Sequence, residues 1–419
     1  MDGHSLPLTE ILKYALPELQ KPVLFRNMLR NSDGSYEWKL LKWSFSDLVE
    51  KFGDKQLSFR VGDHNKCTCT LQHHRRRISP PTKFCKLTLR EFSIATGDMT
   101  KEGYDKWLYC DYKYMKEFSD KPEIVESFNW LKFGIDKEFG KNGLHSTIWI
   151  GSKGAHTDCH WDTYGYNLVA QIHGRLKLWL LYPPSDSLIP VRVPYEESTV
   201  YSKFNIYCLS MAERDLLLKI PDKPKLIILE PGDVLFVPNG WWHYVESLDN
   251  INVNVNIWGK LKTDNRARVK EALVKLIVAR MRNYKQFKNK VTTFYAREIE
   301  YVVTECIKEE EQEKNEKTEL SLEAPLKRFK PTIWTAEDLA KQYPNYIEVL
   351  RDAEEHEFKE FIEERLKRDN QKDPLDEETT SEDYVSNPQH DSFLESLTNA
   401  LCHPDVISKV TQVLLERHC

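Results

Sequence analysis

The sequence lacks any run of about eighteen uninterrupted apolar residues, the length that a helix needs to cross a bilayer. This absence argues against a membrane span. The first twenty residues also lack a basic segment followed by an apolar core, and they contain acidic residues, so neither a secretory signal nor an organelle transit peptide is expected. We therefore expect a cytoplasmic protein with access to the nucleus and without membrane association.

The sequence also gives little indication of nucleic-acid binding or of a disulfide framework. The formal net charge is only −5, which gives no general reason to expect nucleic-acid binding, although short basic runs near residues 75 and 327 could contact phosphate or act as nuclear addresses. The nine cysteines are odd in number and scattered, which fits reduced thiols better than a disulfide framework. The Cys-x-Cys and paired histidines of residues 67–74 do not have a standard zinc-finger spacing.

The residue composition, and with it the predicted secondary structure, changes along the chain. From about residue 20 to 260 it is rich in aromatic and β-branched residues with Pro and Gly punctuation, which predicts short strands, and beyond Gly259 helical patterns dominate. We predict an α/β flank over residues 1–103, a barrel over 104–260, a helical cover or dimer segment over 261–302, a charged linker over 303–330 and a helical region over 331–419. The charged segment could also form a solvated helix.

Local signals predict individual elements. WSFSDLVEKFG is expected to form a helix with Ser46 as its N-cap and Gly53 at its C-terminal end. Residues 167–182 are predicted as one strand that ends before two prolines. Thr335 and Asp338 have the spacing of a capping box at the start of a later helix. The final thirty residues are expected to form two short amphipathic helices.

Two overlapping His-x-Asp pairs occur in residues 156–162, which read HTDCHWD. Alternate residues of a strand point to the same face, so His156 with Asp158, or His160 with Asp162, could direct two ligands at one metal ion. With 13 histidines and 65 acidic residues in 419, about two such pairs are expected by chance, so the pair alone indicates little. Cys159 has the opposite parity to His160 and is not expected to be a ligand.

A third ligand is available downstream. In residues 230–247, EPGDVLFVPNGWWHYVES, turns flank a short strand and His243 begins the next one. The following NINVNVNIW alternates asparagines with apolar residues, so one strand face is polar, either as a pocket wall or as a hydrated surface. Two histidines and one aspartate with open positions are the ligand set of non-haem Fe(II) oxygenases, whereas structural zinc prefers four protein ligands, usually including cysteine.

Several motifs between residues 104 and 260 carry a resemblance to a known family. They are Thr157-x-x-His160-x-Asp162, Asn167-x-x-Ala170-Gln171-Ile172-x-Gly174, Lys177 before Tyr182-Pro183-Pro184, Pro231-Gly232-Asp233, Gly240-Trp241-Trp242-His243 and Val255-Asn256-Ile257-Trp258. Together they resemble the JmjC domain of cupin-type 2-oxoglutarate oxygenases, in particular the small hydroxylase branch that includes the asparaginyl hydroxylase of hypoxia-inducible factor. The order of the whole chain further resembles JmjC proteins associated with small heat shock proteins.

The resemblance implies a fold that is mainly β with α: a double-stranded β-helix, also called a jelly-roll or cupin barrel, flanked by helices and followed by a helical C-terminal extension. It also implies that His160, Asp162 and His243 are the catalytic metal ligands. The implied cofactor is Fe(II), and the implied co-substrate is 2-oxoglutarate.

The resemblance further implies residues that bind the co-substrate. Lys177 matches the lysine that pairs with the distal carboxylate, and Thr157 and an upstream tyrosine hydrogen-bond to the same group; our choice for that tyrosine is Tyr109. Asn167 and Asn256 match polar positions of the pocket. One residue is added between Gly174 and Lys177 relative to the family pattern, which leaves Arg175 as the alternative cation.

The implied activity is that of a Fe(II)- and 2-oxoglutarate-dependent dioxygenase, with protein hydroxylation as the preferred reaction. RNA hydroxylation ranks second, and histone demethylation ranks lower because reader and zinc modules are not visible in the sequence. The competing hypothesis is a scaffold that binds small heat shock proteins in the stress response with little or no catalysis. A homodimer through the helices after the barrel is a further expectation, and nucleic acid is not an expected partner.

Overall fold

The computed structural model describes residues 7–64, 83–98, 106–118, 121–135, 143–282, 289–322, 334–369 and 388–418. The basic runs near residues 75 and 327 and the Cys-x-Cys segment lie outside these ranges, so their interpretation stays a prediction. The helices are α1 (Leu8–Ala15), α2 (Lys39–Lys42), α3 (Phe45–Phe52), α4 (Leu89–Asp98), α5 (Pro122–Val125), α6 (Met211–Leu217), α7 (Asp264–Arg282), α8 (Asn289–Leu322), α9 (Ala336–Gln342), α10 (Glu355–Asp369), α11 (Pro388–Leu401) and α12 (Pro404–His418).

The strands form two antiparallel sheets. They are β1 (Val23–Phe25), β2 (Leu57–Asp63), β3 (Lys83–Leu87), β4 (Lys106–Tyr114), β5 (Thr147–Ser152), β6 (His156–Asp162), β7 (Tyr166–His173), β8 (Lys177–Tyr182), β9 (Pro190–Glu196), β10 (Thr199–Ser202), β11 (Lys225–Leu229), β12 (Val234–Val237), β13 (Trp242–Ser247), β14 (Ile251–Gly259) and β15 (Ile347–Val349). The larger sheet has the order β15-β1-β12-β7-β14-β5-β4-β2-β3, and the smaller has β11-β8-β13-β6-β10-β9.

The chain alternates between the two sheets from β5 to β8 and again from β11 to β14. This alternation of antiparallel strands is the topology of a double-stranded β-helix, so the predicted fold class is confirmed. Strands from outside residues 104–260 extend the larger sheet, because β1 pairs with both β12 and β15. The division into domains predicted above is not decided by these contacts.

Apolar side chains fill three regions around the sheets. One cluster lies between the larger sheet and the N-terminal helices and includes Phe25, Trp38 and Trp130. A second lies on the outer side of the smaller sheet, where Phe361 and Ile362 of α10 pack with the sheet's own side chains. A third fills one end of the space between the sheets. The other end of that space contains a pocket of about 860 Å³.

Two local predictions differ from the structure, and a third is confirmed. The N-cap of α3 is Ser44 rather than Ser46, because Ser44 and Asp47 form the reciprocal hydrogen bonds of a capping box. Residues 167–182 form two strands, since Gly174, with a positive φ of 84°, turns the chain between β7 and β8. The capping box predicted at Thr335 and Asp338 is present.

The C-terminal half contains more packed structure than the charge pattern suggests. Helix α8 crosses the predicted linker boundary at residue 303, and its Val303 and Cys306 are buried. This segment therefore begins as a packed helix, because apolar residues recur among its charges.

Most of the described cysteines are free thiols, as expected: Cys85, Cys110, Cys159, Cys306 and Cys402. Cys208 is disulfide-bonded, so the expectation of reduced thiols is wrong at that position. Within the described ranges, none of the helices is long and apolar enough for a membrane span.

Candidate metal centre and co-substrate pocket

Three candidate ligands that are far apart in sequence meet in the pocket between the sheets. His160 and Asp162 lie on β6, and His243 lies on the neighbouring strand β13, directly opposite His160. One ligand atom from each side chain lies within 4.8 Å of the other two, so a single ion can be reached by all three. Among the residues that the structure describes, this is the only cluster of at least three potential ligands.

An irregularity in β6 brings these ligands and Thr157 to one face. The pairing with β13 shifts between His243 opposite His160 and Val245 opposite Thr157, which indicates an extra residue on β6. In a regular strand Thr157 and His160, three positions apart, would point to opposite faces. The bulge reverses the alternation, so both line the pocket. Cys159 packs instead in the cluster on the outer side of the sheet, as its parity predicts.

Backbone carbonyl groups orient both imidazoles. Nδ1 of His160 lies 2.7 Å from the carbonyl oxygen of Asp158, and Nδ1 of His243 lies 3.0 Å from that of Trp241. A carbonyl only accepts, so Nδ1 of each ring carries the proton and donates it. The lone pair of each neutral ring is then on Nε2, the atom available to a metal.

The carboxylate and the second imidazole are also prepared for a metal. The indole Nε1 of Trp258 donates to Oδ2 of Asp162 at 3.0 Å, which fixes the carboxylate. Burial, together with the neighbouring His160, lowers the pKa of His243 to about 4, although Asp162 acts in the opposite direction. His243 is therefore neutral near pH 7, which is the form that binds metal.

The rival pair, His156 and Asp158, is arranged differently. The ring of His156 stacks on Tyr207 with centroids 3.9 Å apart, and its Nδ1 bonds to the carbonyl of Gly154. Burial lowers the pKa of His156 to about 4. Nothing else in the described ranges completes a three-ligand cluster with this pair. Its packing indicates a structural histidine.

A buried lysine lies against Tyr109, a residue of the pocket wall. Lys177 is 1% exposed, and its Nζ donates to Ser247 Oγ at 3.0 Å and lies 5.3 Å from the ring centre of Tyr109. The hydroxyl of Tyr109 is 3.2 Å from Thr157 Oγ1, so the three residues named as co-substrate ligands from sequence are neighbours. Burial lowers the pKa of Lys177 to about 7, with Glu246 opposing the shift.

The alternative cation has a different position. Arg175 is exposed in the turn between β7 and β8, where its backbone N–H donates to Asp249. Within the described ranges, neither Arg175 nor Lys177 is part of the pocket lining itself, but Lys177 is buried and lies against Tyr109, which lines the pocket. The extra residue before Lys177 is therefore accommodated in a surface turn, and the geometry favours Lys177 as the partner of a buried anion.

The two asparagines also lie in the pocket, on neighbouring strands of the larger sheet. Asn256 Nδ2 donates to Asn167 Oδ1 at 2.9 Å, and Asn256 Oδ1 accepts from Trp149 Nε1 at 2.8 Å and from Thr147. Asn252, Asn254 and Asn256 are all buried, so the polar face of β14 is not a hydrated surface. Of the two interpretations left open by the sequence, the pocket wall is correct.

Sequence analysis missed several residues of the site. Trp258, which holds Asp162, and Ser247, which holds Lys177, were not named as candidates because each acts through contacts between distant strands. Trp179 lines the pocket, and its buried indole N–H has no hydrogen-bond acceptor among the described residues. The remaining lining includes Arg60, Tyr109, Asp111, Tyr112, Tyr114, Tyr164, Val169, Glu196, Glu197, Tyr201, Val245, Asn254 and Arg268.

The residues present fit Fe(II) and an anionic co-substrate. The donor set, two imidazoles and one carboxylate, leaves positions of an ion open to other ligands. A buried cation that is hydrogen-bonded to a neutral hydroxyl, and an indole N–H without an acceptor in the described chain, are the groups that a bound carboxylate would satisfy.

The fold and the ligand cluster define a class, that of cupin barrels with a His-Asp-His centre. The family model of the cupin-like domain matches residues 12–264. The chain belongs to this family, and within it to the cupin-like JmjC domains.

Relatives with assigned names give a more specific likeness. The chain is 38% identical over 291 residues to "HSPB1-associated protein 1" of Bos taurus, an alignment that covers 67% of this chain and 56% of the relative. It is 37% identical over 284 residues to the human protein of the same name, covering 65% and 54%. It is 33% identical over 182 residues to "2-oxoglutarate and iron-dependent oxygenase JMJD4" of Danio rerio, covering 39% and 38%. The matches to the first two relatives extend over only slightly more than half of their length.

Proposed function

We propose that this protein is a Fe(II)- and 2-oxoglutarate-dependent dioxygenase that hydroxylates a protein side chain. The observation that carries the proposal is the meeting of His160, Asp162 and His243 in a pocket whose wall residue Tyr109 lies against the buried cation Lys177. Membership of the JmjC family and the likeness to an iron-dependent oxygenase support the same reaction class.

In this proposal the chain holds iron through Nε2 of His160, Nε2 of His243 and the carboxylate of Asp162. When bound, iron and 2-oxoglutarate supply the oxidation, in which O₂ is consumed, 2-oxoglutarate becomes succinate and CO₂, and the second oxygen atom is transferred to the substrate. Carbonyl groups of Asp158 and Trp241 keep the rings in the ligating tautomer. Trp258 holds the carboxylate in place.

Lys177, Thr157 and Tyr109 hold the far carboxylate of 2-oxoglutarate. A cation buried among apolar side chains is unfavourable unless it is paired, and the carboxylate supplies the missing charge. The hydroxyl groups of Tyr109 and Thr157, already in mutual contact, add donors to the same group. Asn167 and Asn256 form part of the polar wall.

The direct test is succinate formation in a single turnover. Protein is loaded with Fe(II) and 2-oxoglutarate without oxygen, oxygen is admitted, and succinate is quantified. The wild type and the control Asp215→Ala, whose side chain is 60% exposed on α6, are expected to form succinate. Asp162→Ala is expected to form none and to lose most of its Fe(II) affinity. Absence of succinate from wild type that binds iron tightly would exclude the enzyme.

A second candidate function is that of a scaffold for a small heat shock protein. It is supported by the name of two relatives, "HSPB1-associated protein 1". In this alternative the partner is bound whether or not the iron centre is intact. Capture of a small heat shock protein by Asp162→Ala as well as by wild type, combined with no succinate from wild type, would favour the scaffold over the enzyme.

A cytoplasmic location with access to the nucleus is also a proposal, and cell fractionation tests it.

A further inference from the structure

A second cavity lies between the barrel and the C-terminal helices. Its volume is about 290 Å³, and we call it the rear cavity. Its walls come from the end of β6, from β9, from α7, from the turn at Asn239 and from the start of α12. Trp161, Asp162 and Thr163 belong to its wall, so the cavity adjoins the strand that carries two of the candidate metal ligands.

Two cationic side chains line the rear cavity. Arg192 extends from β9 and Lys270 from α7, and both are half-buried. Within the part of the chain that the structure describes, neither head group makes a hydrogen bond or an ion pair; only the backbone N–H of Arg192 is bonded, to Asn399. Burial lowers the pKa of Arg192 below its ordinary value, despite the opposing effect of Glu271. The charge on Arg192 is therefore poorly compensated.

The two carboxylates of the wall are already engaged elsewhere. Glu271 accepts hydrogen bonds from the hydroxyl groups of Thr163 and Tyr195 and from the backbone N–H of Ser198. Asp162 accepts from Trp258 and belongs to the ligand cluster of the other pocket. Among the described residues, neither carboxylate forms a salt bridge with Arg192 or Lys270, although the charge of Glu271 acts on Arg192 and opposes the lowering of its pKa.

We propose that the rear cavity binds a small oxyanion, either a phosphate or a short carboxylate, between Arg192 and Lys270. The guanidinium offers several donors in one plane, and the ammonium adds a second charge. Ser408 contributes a hydroxyl to the lining, and the first turn of α12, which begins at Pro404, adds the positive end of a 15-residue helix. A bound anion links β9, α7 and α12 and so fastens the C-terminal helices to the barrel.

The test measures binding of inorganic phosphate and of malonate by calorimetry, with sodium chloride at equal ionic strength as the reference. Malonate could also enter the co-substrate pocket, so each titration is repeated in Lys177→Met, which lacks the cation proposed to hold the co-substrate. Saturable binding of phosphate or malonate that persists in Lys177→Met is expected. Tighter binding of phosphate assigns the site to phosphate groups, and tighter binding of malonate assigns it to carboxylates.

Variants locate the anion. Arg192→Gln and Lys270→Gln are each expected to weaken binding at least tenfold, whereas the control Lys262→Gln, at an exposed lysine just before α7, is expected to leave it unchanged. Hydrogen exchange of α12 is expected to slow when the anion binds to wild type and not when it is added to Arg192→Gln. The proposal is overturned if no oxyanion binds saturably, or if Arg192→Gln binds as tightly as Lys262→Gln. Either result leaves the succinate assay unaffected.

Discussion

At the scale of single residues, the site depends on hydrogen bonds that the candidate ligands make behind the pocket. His160 and His243 each bond to a carbonyl two residues earlier in the chain, and Asp162 bonds to Trp258 on β14. These contacts choose the tautomer of each ring and the orientation of the carboxylate. In the proposed function, these contacts orient the ligands for the metal.

Trp258→Phe tests this arrangement. The change keeps an aromatic ring but removes the N–H that bonds to Asp162, so Fe(II) affinity is expected to fall by roughly 10- to 100-fold, the usual effect of losing a group that orients a metal ligand. Anaerobic calorimetry measures the affinity. Trp161→Phe is the control, since Trp161 packs against Trp242 on the outer side of the sheet. Equal affinities of the two variants would contradict the role of Trp258.

Lys177→Met separates stability from co-substrate binding. The folded protein keeps the pKa of Lys177 near 7, whereas the unfolded chain has a value of about 10.4, so the folded state binds fewer protons between these values. The free-energy cost of burying the charged ammonium group of Lys177 is then fully present below about pH 7, and it declines as the pH rises above 7. The variant is expected to be more stable than wild type at pH 6, on the order of 2–4 kcal/mol, while its 2-oxoglutarate affinity falls.

Urea unfolding at several pH values measures the stability effect. The difference in unfolding free energy between Lys177→Met and wild type is expected to shrink by about 2 kcal/mol from pH 7 to pH 9, because each unit of pH releases about 1.4 kcal/mol over this range. A difference that is constant with pH would mean that Lys177 titrates normally.

At the scale of secondary-structure elements, a buried ion-pair network attaches α10 to the smaller sheet. Glu246 of β13 is 1% exposed and bonds to Arg365 and Arg368, each at 2.8 Å, and to the hydroxyl of Tyr244. Burial by itself would raise the pKa of Glu246, but the two arginines lower it to about 2. The polar network lies beside an apolar contact in which Phe361 and Ile362 cover the sheet.

Glu246→Gln is expected to destabilise the protein by about 3 kcal/mol at pH 7, because it leaves the buried Arg365 with only the exposed carboxylate of Glu364 as a counter-charge. The carboxylate contributes stability above its unfolded pKa of about 4.3, and this contribution is lost as the pH falls toward 2. The difference in unfolding free energy between wild type and Glu246→Gln is therefore expected to decrease as the pH falls. Urea unfolding measures this difference, and Glu360→Gln on the exposed side of α10 is the control, expected to be within about 0.5 kcal/mol of wild type.

At the scale of the whole molecule, segments distant in sequence complete the barrel. Strand β15 pairs with β1, which in turn pairs with β12, and α10 covers the smaller sheet. Helices α7, α8, α11 and α12 pack with one another through two small apolar clusters. The part of the chain beyond residue 331 thus contributes both to the barrel and to a separate helical layer.

Two truncations test this division. A chain that ends at residue 333 lacks β15 and α10, so it uncovers Tyr182, Trp242 and Tyr244 and leaves Glu246 without its arginines. It is expected to lose cooperative urea unfolding and to aggregate in gel filtration. A chain that ends at residue 386 keeps both elements and is expected to bind Fe(II) within about threefold of the full chain. Cooperative unfolding of the shorter chain would show that β15 and α10 are accessory.

Local patterns in the sequence predicted short strands and turns, the two His-x-Asp pairs, His243 and the polar face of β14, because alternation and turn residues are properties of neighbouring residues. The class of fold and the role of Lys177 were implied by the resemblance of the motifs to the JmjC family. Local patterns did not distinguish a packed helix from a linker at residue 303. There, a few apolar residues among charged ones pack against other helices.

Only the tertiary structure shows that His160 and not His156 joins a three-residue cluster, that Lys177 is buried and Arg175 exposed, and that Ser44 caps α3. The bulge in β6 lets Thr157 share a face with His160, and the extra residue near Arg175 is taken up by a surface turn. Arg365 of α10 contacts Glu246 of the smaller sheet, 119 residues away in sequence. Each outcome depends on pairing between distant strands or packing between distant elements. Neighbouring residues along the chain do not determine such pairing.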